Sequence, residues 1–182
     1  MPLIMLDPGH GGTDPGASGN NLKEKQLTLT IALKVQKLLE DQYIVDARLT
    51  RESDVYAGLS ERADRANNIG ADYFVSLHHN AGGGTGFESF IYPGTAATET
   101  GRRQDVMHAE LMNFYSLYGI RDRGQKEANF AVLRETAMPA VLLENLFIDS
   151  TADAEHLKDP KFIDGLSQAV ASGIAKALNL QP

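Results

Sequence analysis

The sequence predicts an α/β fold: a single domain, residues 1–182, built on a mixed, mostly parallel sheet covered by helices on both faces. Three observations carry that prediction. Short apolar runs alternate with helix-period stripes from end to end, the pattern of a largely parallel sheet buried on both sides. The stretch Gly82-Gly83-Gly84-Thr85-Gly86 allows one sharp reversal, and therefore at least one antiparallel pair. The chain of 182 residues is long enough for one substantial core and short for two.

Each element has its own signal. Leu3 to Leu6 is an apolar run and predicts the first buried strand. Leu27, Ile31, Val35 and Leu38 draw one apolar stripe on a helix ending near Asp41, and Tyr43 to Thr50 predicts the second strand. Leu59, Ala63, Ala66 and Ile69 mark the next helix, with Gly70 placed to terminate it. "ADYFVSLHH" and "GFESFIYP" predict a third and a fourth strand. A further stripe runs through Met107, Leu111, Phe114 and Tyr118, after which "NFAVLR" and "AVLLENLF" read as two more strand-like runs. Asp159-Pro160 makes a cap and first-turn pair for a long amphipathic helix carrying Ile163, Leu166, Val170, Ile174 and Leu178.

Composition removes whole classes of function. Lys and Arg number 17 against 24 Asp and Glu, a net charge of −7, which disfavours a nucleic-acid surface built on phosphate neutralisation. No run approaches the roughly 18 to 20 consecutive apolar residues of a membrane span. No targeting segment is visible at the N-terminus, so the chain reads as an excised catalytic domain. Cysteine is absent, which excludes disulfides, thiolate chemistry and Cys-based metal sites together. Any metal must be held by His, Asp or Glu.

In open α/β sheets, ligands gather at the carboxyl ends of the strands. Strand one ends in Asp7-Pro8-Gly9-His10, strand three in Ser76-Leu77-His78-His79-Asn80, and the late run "AVLLENLF" contains Glu144. Two histidines and a carboxylate at three such ends form a candidate metal or acid-base site. The glycines around His10 do not make a phosphate cradle. Asp14 stands where the third glycine of G-x-G-x-x-G belongs, and both Asp7 and Asp14 repel phosphate. The glycines instead leave room around His10.

The other candidates keep two readings each. Asn21-x-x-Glu24 fits a capping box, so Glu24 either satisfies a helix amide or serves as a ligand. His78 and His79 are adjacent on a strand and point to opposite faces, so at most one of them joins a site with His10. Glu144, in a run that is to be buried, is either ion-paired with Arg123 or Arg134, or catalytic. His108 and His156 lie on or beside helices and are expected at the surface. Asp7 either orients His10 or only begins the turn.

The motifs "LDPGHGGTDPGASG", "KEKQLTL", "LTRESD", "LSERADRAN", "ADYFVSLHHNAGGGTGFESFIYP" and "RGQKEANFAVLRETAMPAVLLENLF" together resemble the zinc-dependent N-acetylmuramoyl-L-alanine amidases of bacterial cell walls. The likeness is to the branch containing autolysins of spore-forming Gram-positive bacteria. It covers nearly the whole chain, in the family's order. The resemblance implies a mixed, mostly parallel sheet of about six strands flanked by helices. It also implies Zn²⁺ held by His10, Glu24 and His78, an open fourth position for water, and Glu144 as the catalytic base and acid.

The bond cut is then the amide between N-acetylmuramic acid and L-alanine in peptidoglycan. An extended substrate calls for an open groove, with Asn80, Glu88, Arg65 and Asn129 as candidates to line it, each open to a structural role as well. The same resemblance places the protein outside the cell or in the wall, released from the mother cell in a sporulation setting. A monomer is expected, with wall targeting supplied by a separate domain because anionic wall polymers repel this one. The competing readings are a metal-dependent peptidase or deacetylase on another wall substrate, and a non-catalytic wall-binding module.

Overall fold

The computed structural model describes residues 1–182. Its frame is a six-stranded sheet of β1 (Leu3–Pro8), β4 (Asp46–Leu49), β5 (Tyr73–Asn80), β6 (Phe87–Ile91), β7 (Asp122–Glu127) and β8 (Ala140–Phe147), ordered β4-β1-β5-β8-β6-β7. The pairs β1–β4, β1–β5 and β5–β8 are parallel, as is β6–β7, while β6 runs antiparallel to β8. The glycine stretch at 82–86 thus reverses the chain as expected, but the antiparallel partner is β8 and not the preceding strand. A two-strand ribbon, β2 (Ser18–Gly19) and β3 (Leu22–Lys23), follows the His10 loop.

Strand alternation divides the sheet into two unlike faces. Ile4, Leu6, Tyr73, Val75, Leu77, Val141 and Leu143 point to one side, where α1 (Glu24–Gln42), α3 (Glu99–Tyr115) and α6 (Pro160–Leu178) cover them in a cluster of 31 buried residues. Met5, Phe74, Ala140 and Leu142 point the other way, into a cluster of 8 buried residues under α2 (Leu59–Ile69) and the single-turn α4 (Ala131–Arg134). Each fully buried Leu, Ile, Val or Phe stabilises by about 1.5–3 kcal/mol relative to exposure, so the first face supplies most of the fold's stability. The second face is covered only near the amino ends of β5 and β8, and stays open at their carboxyl ends.

Three elements depart from the sequence reading. "NFAVLR" is not a strand: Ala131–Arg134 forms α4, which caps the smaller cluster with Val132 and Leu133. β7 carries the polar run DRGQKE, which has no apolar alternation to announce it, because it is an edge strand exposed along much of its length. α5 (Thr151–Lys158) was likewise silent, and is started by Ser150, whose hydroxyl accepts from the Asp153 amide. The long last helix is as expected, with the Asp159 carboxylate accepting from the Lys161 amide and Pro160 at its first position.

Candidate metal centre

The site is built where β1, β5 and β8 end side by side. His10 lies just past β1 with φ +62°, a left-handed conformation that a side-chain-bearing residue adopts only when its surroundings impose it. Those surroundings are two buried arginines. Arg51 donates to the carbonyls of Pro8 and Gly9, both at 3.0 Å, and Arg62 donates to those of Pro8 and His10, both at 2.7 Å. Asp7 supplies the counter-charge, 2.9 Å from Arg62, and also accepts from Thr50 and Ser76. Burial raises the Asp7 pKa, but the Arg62 charge and these hydrogen bonds outweigh it and hold the carboxyl below its ordinary value.

Glycine makes the rest of the approach possible. A Cβ on Gly9 would stand 2.4 Å from the His78 ring, and one on Gly16 would stand 2.6 Å from both Glu24 and His10. The loop closes through paired backbone bonds between Gly11 and Asp14, which bring the Asp14 carboxylate to 2.8 Å from His10 Nδ1. With Nδ1 engaged there, the Nε2 edge is turned towards Glu24.

Glu24 Oε1 is the centre of the group. It lies 3.1 Å from His10 Nε2 and 3.1 Å from His78 Nδ1, and the ligand-capable atoms of all three side chains fall within 4.8 Å of one another. Three charged or ionisable groups so placed form a set able to hold a metal ion. The capping-box alternative for Glu24 does not hold. Glu24 is itself the first residue of α1, and its carboxylate accepts from the amides of Ala17 at 2.8 Å and His79 at 3.0 Å. Burial lowers the His10 pKa, but hydrogen bonds and charge from Glu24 and Asp14 reverse this and hold it at about 9. The same contacts with His10 and His78 overcome the burial of Glu24 and keep its carboxyl far below the usual range.

Glu144 is the register partner of His78 across the β5–β8 pair and faces the same open side of the sheet. Neither Arg123 nor Arg134 pairs with it: the first binds Glu88, the second Asn129 and Glu135. Its Oε2 is buried without any hydrogen-bond partner. Burial pushes the carboxyl up to about 7, with the Glu24 and Glu88 charges adding to the effect and His78 opposing it. His10, Glu24, His78 and Glu144 line one cleft of about 360 Å³, whose apolar walls include Leu59, Phe130 and Val132.

A carboxylate near 7 beside a His/Glu/His set is the equipment of a metal-assisted hydrolase, and comparison with known proteins agrees. Residues 4–176 match the family model described as N-acetylmuramoyl-L-alanine amidase. The chain belongs to that amidase family. It is 53% identical to the N-acetylmuramoyl-L-alanine amidase CwlM of Bacillus licheniformis, over 99% of this chain and 70% of the relative. Identity is 50% to the sporulation-specific N-acetylmuramoyl-L-alanine amidase of Bacillus subtilis, over 100% of this chain and 70% of that one. The catalytic domain of the amidase CwlV from Bacillus (Paenibacillus) polymyxa var. colistinus superposes with a TM-score of 0.92, at 33% identity and 100% coverage of both chains. The reaction is hydrolysis of the amide between N-acetylmuramic acid and L-alanine.

Within the amidase the remaining candidates are scattered. Asn80 donates to Glu88 at 2.7 Å, so these two groove candidates satisfy each other. Arg65 pairs with Glu61 on its own helix, ties α2 to the end of β4 by donating to the Thr50 carbonyl, and does not line the cleft. Asn129 accepts from Arg134 at 2.6 Å, beside Phe130, which does line it. Asp7 does not touch His10; Asp14 does, and its spacing of four residues from His10 was the available signal.

His108, expected at the surface, is buried between Ser89 at 2.8 Å and Asp122 at 2.9 Å, because α3 packs its polar spot over the start of β7. His156 is half-buried, its ring stacked on Phe162. His79 is buried at the β5 irregularity, its Nδ1 bonded to the Asn145 carbonyl, and burial pushes it down to about 4 and so keeps it neutral.

Proposed function

We propose that the amidase is zinc-dependent, that His10, Glu24 and His78 hold the ion, and that Glu144 moves the protons of the reaction on peptidoglycan. The observation that carries this reading is Glu144 Oε2, a buried carboxyl oxygen with no partner, in the same cleft as the three ligand-type side chains. Two imidazole nitrogens and one carboxylate oxygen are the donor set that suits zinc while keeping one position free. Zinc bound there supplies a Lewis acid that polarises the scissile carbonyl and acidifies water.

The protein's own groups do the rest. Asp14 orients the His10 ring. Glu144, poised near neutrality, takes a proton from the attacking water on its free oxygen and passes it to the leaving amine nitrogen. The apolar walls of the cleft keep that carboxyl in a poorly hydrated setting and so hold it near 7. A lone buried acid with no such task would be a pure cost to the fold.

The test is metal content and product analysis on one sample. Zinc at about one ion per chain, activity lost to a chelator and restored by zinc, and stem peptides released with free N-terminal L-alanine are expected. New sugar reducing ends or acetate would favour another wall hydrolase, and full activity without metal would overturn the reading. Retention of all four residues speaks against a non-catalytic wall-binding module. In this reading the protein acts outside the cell or in the wall, as a monomer released from the mother cell, with targeting to anionic wall supplied by a separate domain; a sporulation setting is supported by the name of the Bacillus subtilis relative.

A further inference from the structure

The open face of the sheet continues past Glu144. Glu144 is in register with Glu88 on β6, and Phe90, two residues on, is in register with Lys126 on β7. Side chains of this row therefore share the face that carries His78 and Glu144. On β7 two cations, Arg123 and Lys126, converge on the single Oε2 of Glu88. Two positive charges against one negative charge leave a net positive spot on a chain whose overall charge is −7.

Arg123 is held in place, not dangling. Its guanidinium lies over the Phe147 ring at 4.8 Å, Nε donates to Glu88 at 3.1 Å, and Nη1 reaches the Thr85 carbonyl at 3.4 Å. Gly84 permits this, since a Cβ there would stand 2.6 Å from the same Phe147 ring. Nη2 makes no hydrogen bond within the chain. The Lys126 side chain is 40% exposed, so its ammonium, bonded only to Glu88, still faces solvent.

We propose that Arg123 and Lys126 form a carboxylate subsite for the peptide on the leaving side of the scissile amide. The inference rests on the proposed roles above. The ligand side chains lie on the β1 and β5 side of Glu144, and Glu144 delivers the proton to the leaving nitrogen, so β6 and β7 lie under the departing peptide. From β8 to β7 is two strand spacings, about 10 Å. An extended peptide covers that distance in about three residues, so a carboxylate near the second or third residue of the stem reaches the two cations. Glu88 orients both cations and leaves one charge uncompensated for the substrate.

The test uses two synthetic muramoyl peptides identical except that their peptide carboxylates are free in one and amidated in the other. For the unaltered protein a KM about tenfold lower on the free-acid substrate is expected, the size of one partly exposed charge-assisted contact. Lys126→Met and, separately, Arg123→Gln bring the two KM values together, whereas Arg123→Lys keeps the preference. Equal KM on both substrates in the unaltered protein, or a preference that survives both charge removals, overturns the subsite. Titration of the released peptides, acid against amide, reads the same preference without turnover. Glu144→Gln is assayed beside them: its full activity would sink the proton-transfer reading while the titration still decides the subsite.

Discussion

The two faces of the central sheet are made from the same strands and obey opposite rules. Towards α1, α3 and α6 the strands present Ile4, Leu6, Val75, Leu77, Val141 and Leu143, all buried and apolar. Towards α2 and α4 the alternate positions run from Met5 to Asp7, from Phe74 through Ser76 to His78, and from Leu142 to Glu144. Each strand begins apolar on this face and turns polar at its carboxyl end. Stability is concentrated on one side, and that surplus tolerates an unpartnered acid, a left-handed histidine and two buried arginines on the other.

The largest effect that tests this division is expected at Glu144. Glu144→Gln should lower kcat by about a thousandfold, as loss of a general base does, without lowering the thermal midpoint. A large fall in stability instead would mean that the acid belongs to the core. On the opposite face, Leu111→Ala should destabilise by about 3 kcal/mol in denaturant unfolding while the folded fraction keeps its kcat/KM.

Asp7 lies where the two regimes meet. Asp7→Asn strands the Arg62 charge and should cost about 3 kcal/mol. Because the folded pKa of Asp7 is depressed, its contribution is fully present above about 3.9, the free-chain value, and is lost as pH falls through the lower folded value. Unfolding midpoints measured from pH 6 to pH 3 should fall for the parent protein and fall less steeply for Asp7→Asn, in which Glu24, Asp14 and Glu88 remain as depressed carboxylates.

Two smaller effects sharpen the boundary. Gly16→Ala places a methyl against Glu24 and His10 at φ +65°, so metal stoichiometry should drop, with a stability loss of about 1–2 kcal/mol. Lys37→Ala removes an exposed pair with Asp41 on the outer surface of α1. Neither the unfolding midpoint nor activity should move measurably, because such pairs are screened and flexible.

Much of this was legible in the residues. The stripe through Leu27, Ile31 and Val35, the cap at Asp159 and the polar ends of "DPGH" and "SLHH" each point to the element or site that forms. β7 was hidden because an edge strand need not alternate, and α4 because a four-residue helix has no period to detect. Asp14 looked like a flaw in a phosphate loop until the Gly11–Asp14 closure set it on the His10 ring.

By itself the sequence determined the α/β plan, the absence of thiol chemistry and the residue types available for a metal, since these follow from composition and local periodicity. Tertiary structure alone decided which alternatives were real. It turned Glu24 from a possible cap into the hub of the histidine pair, sent Arg123 to Glu88 and left Glu144 unpaired, and buried His108. Such choices depend on which side chains meet across β1, β5, β8 and β6, residues about 50 to 70 positions apart in the chain, and no local pattern records those distances.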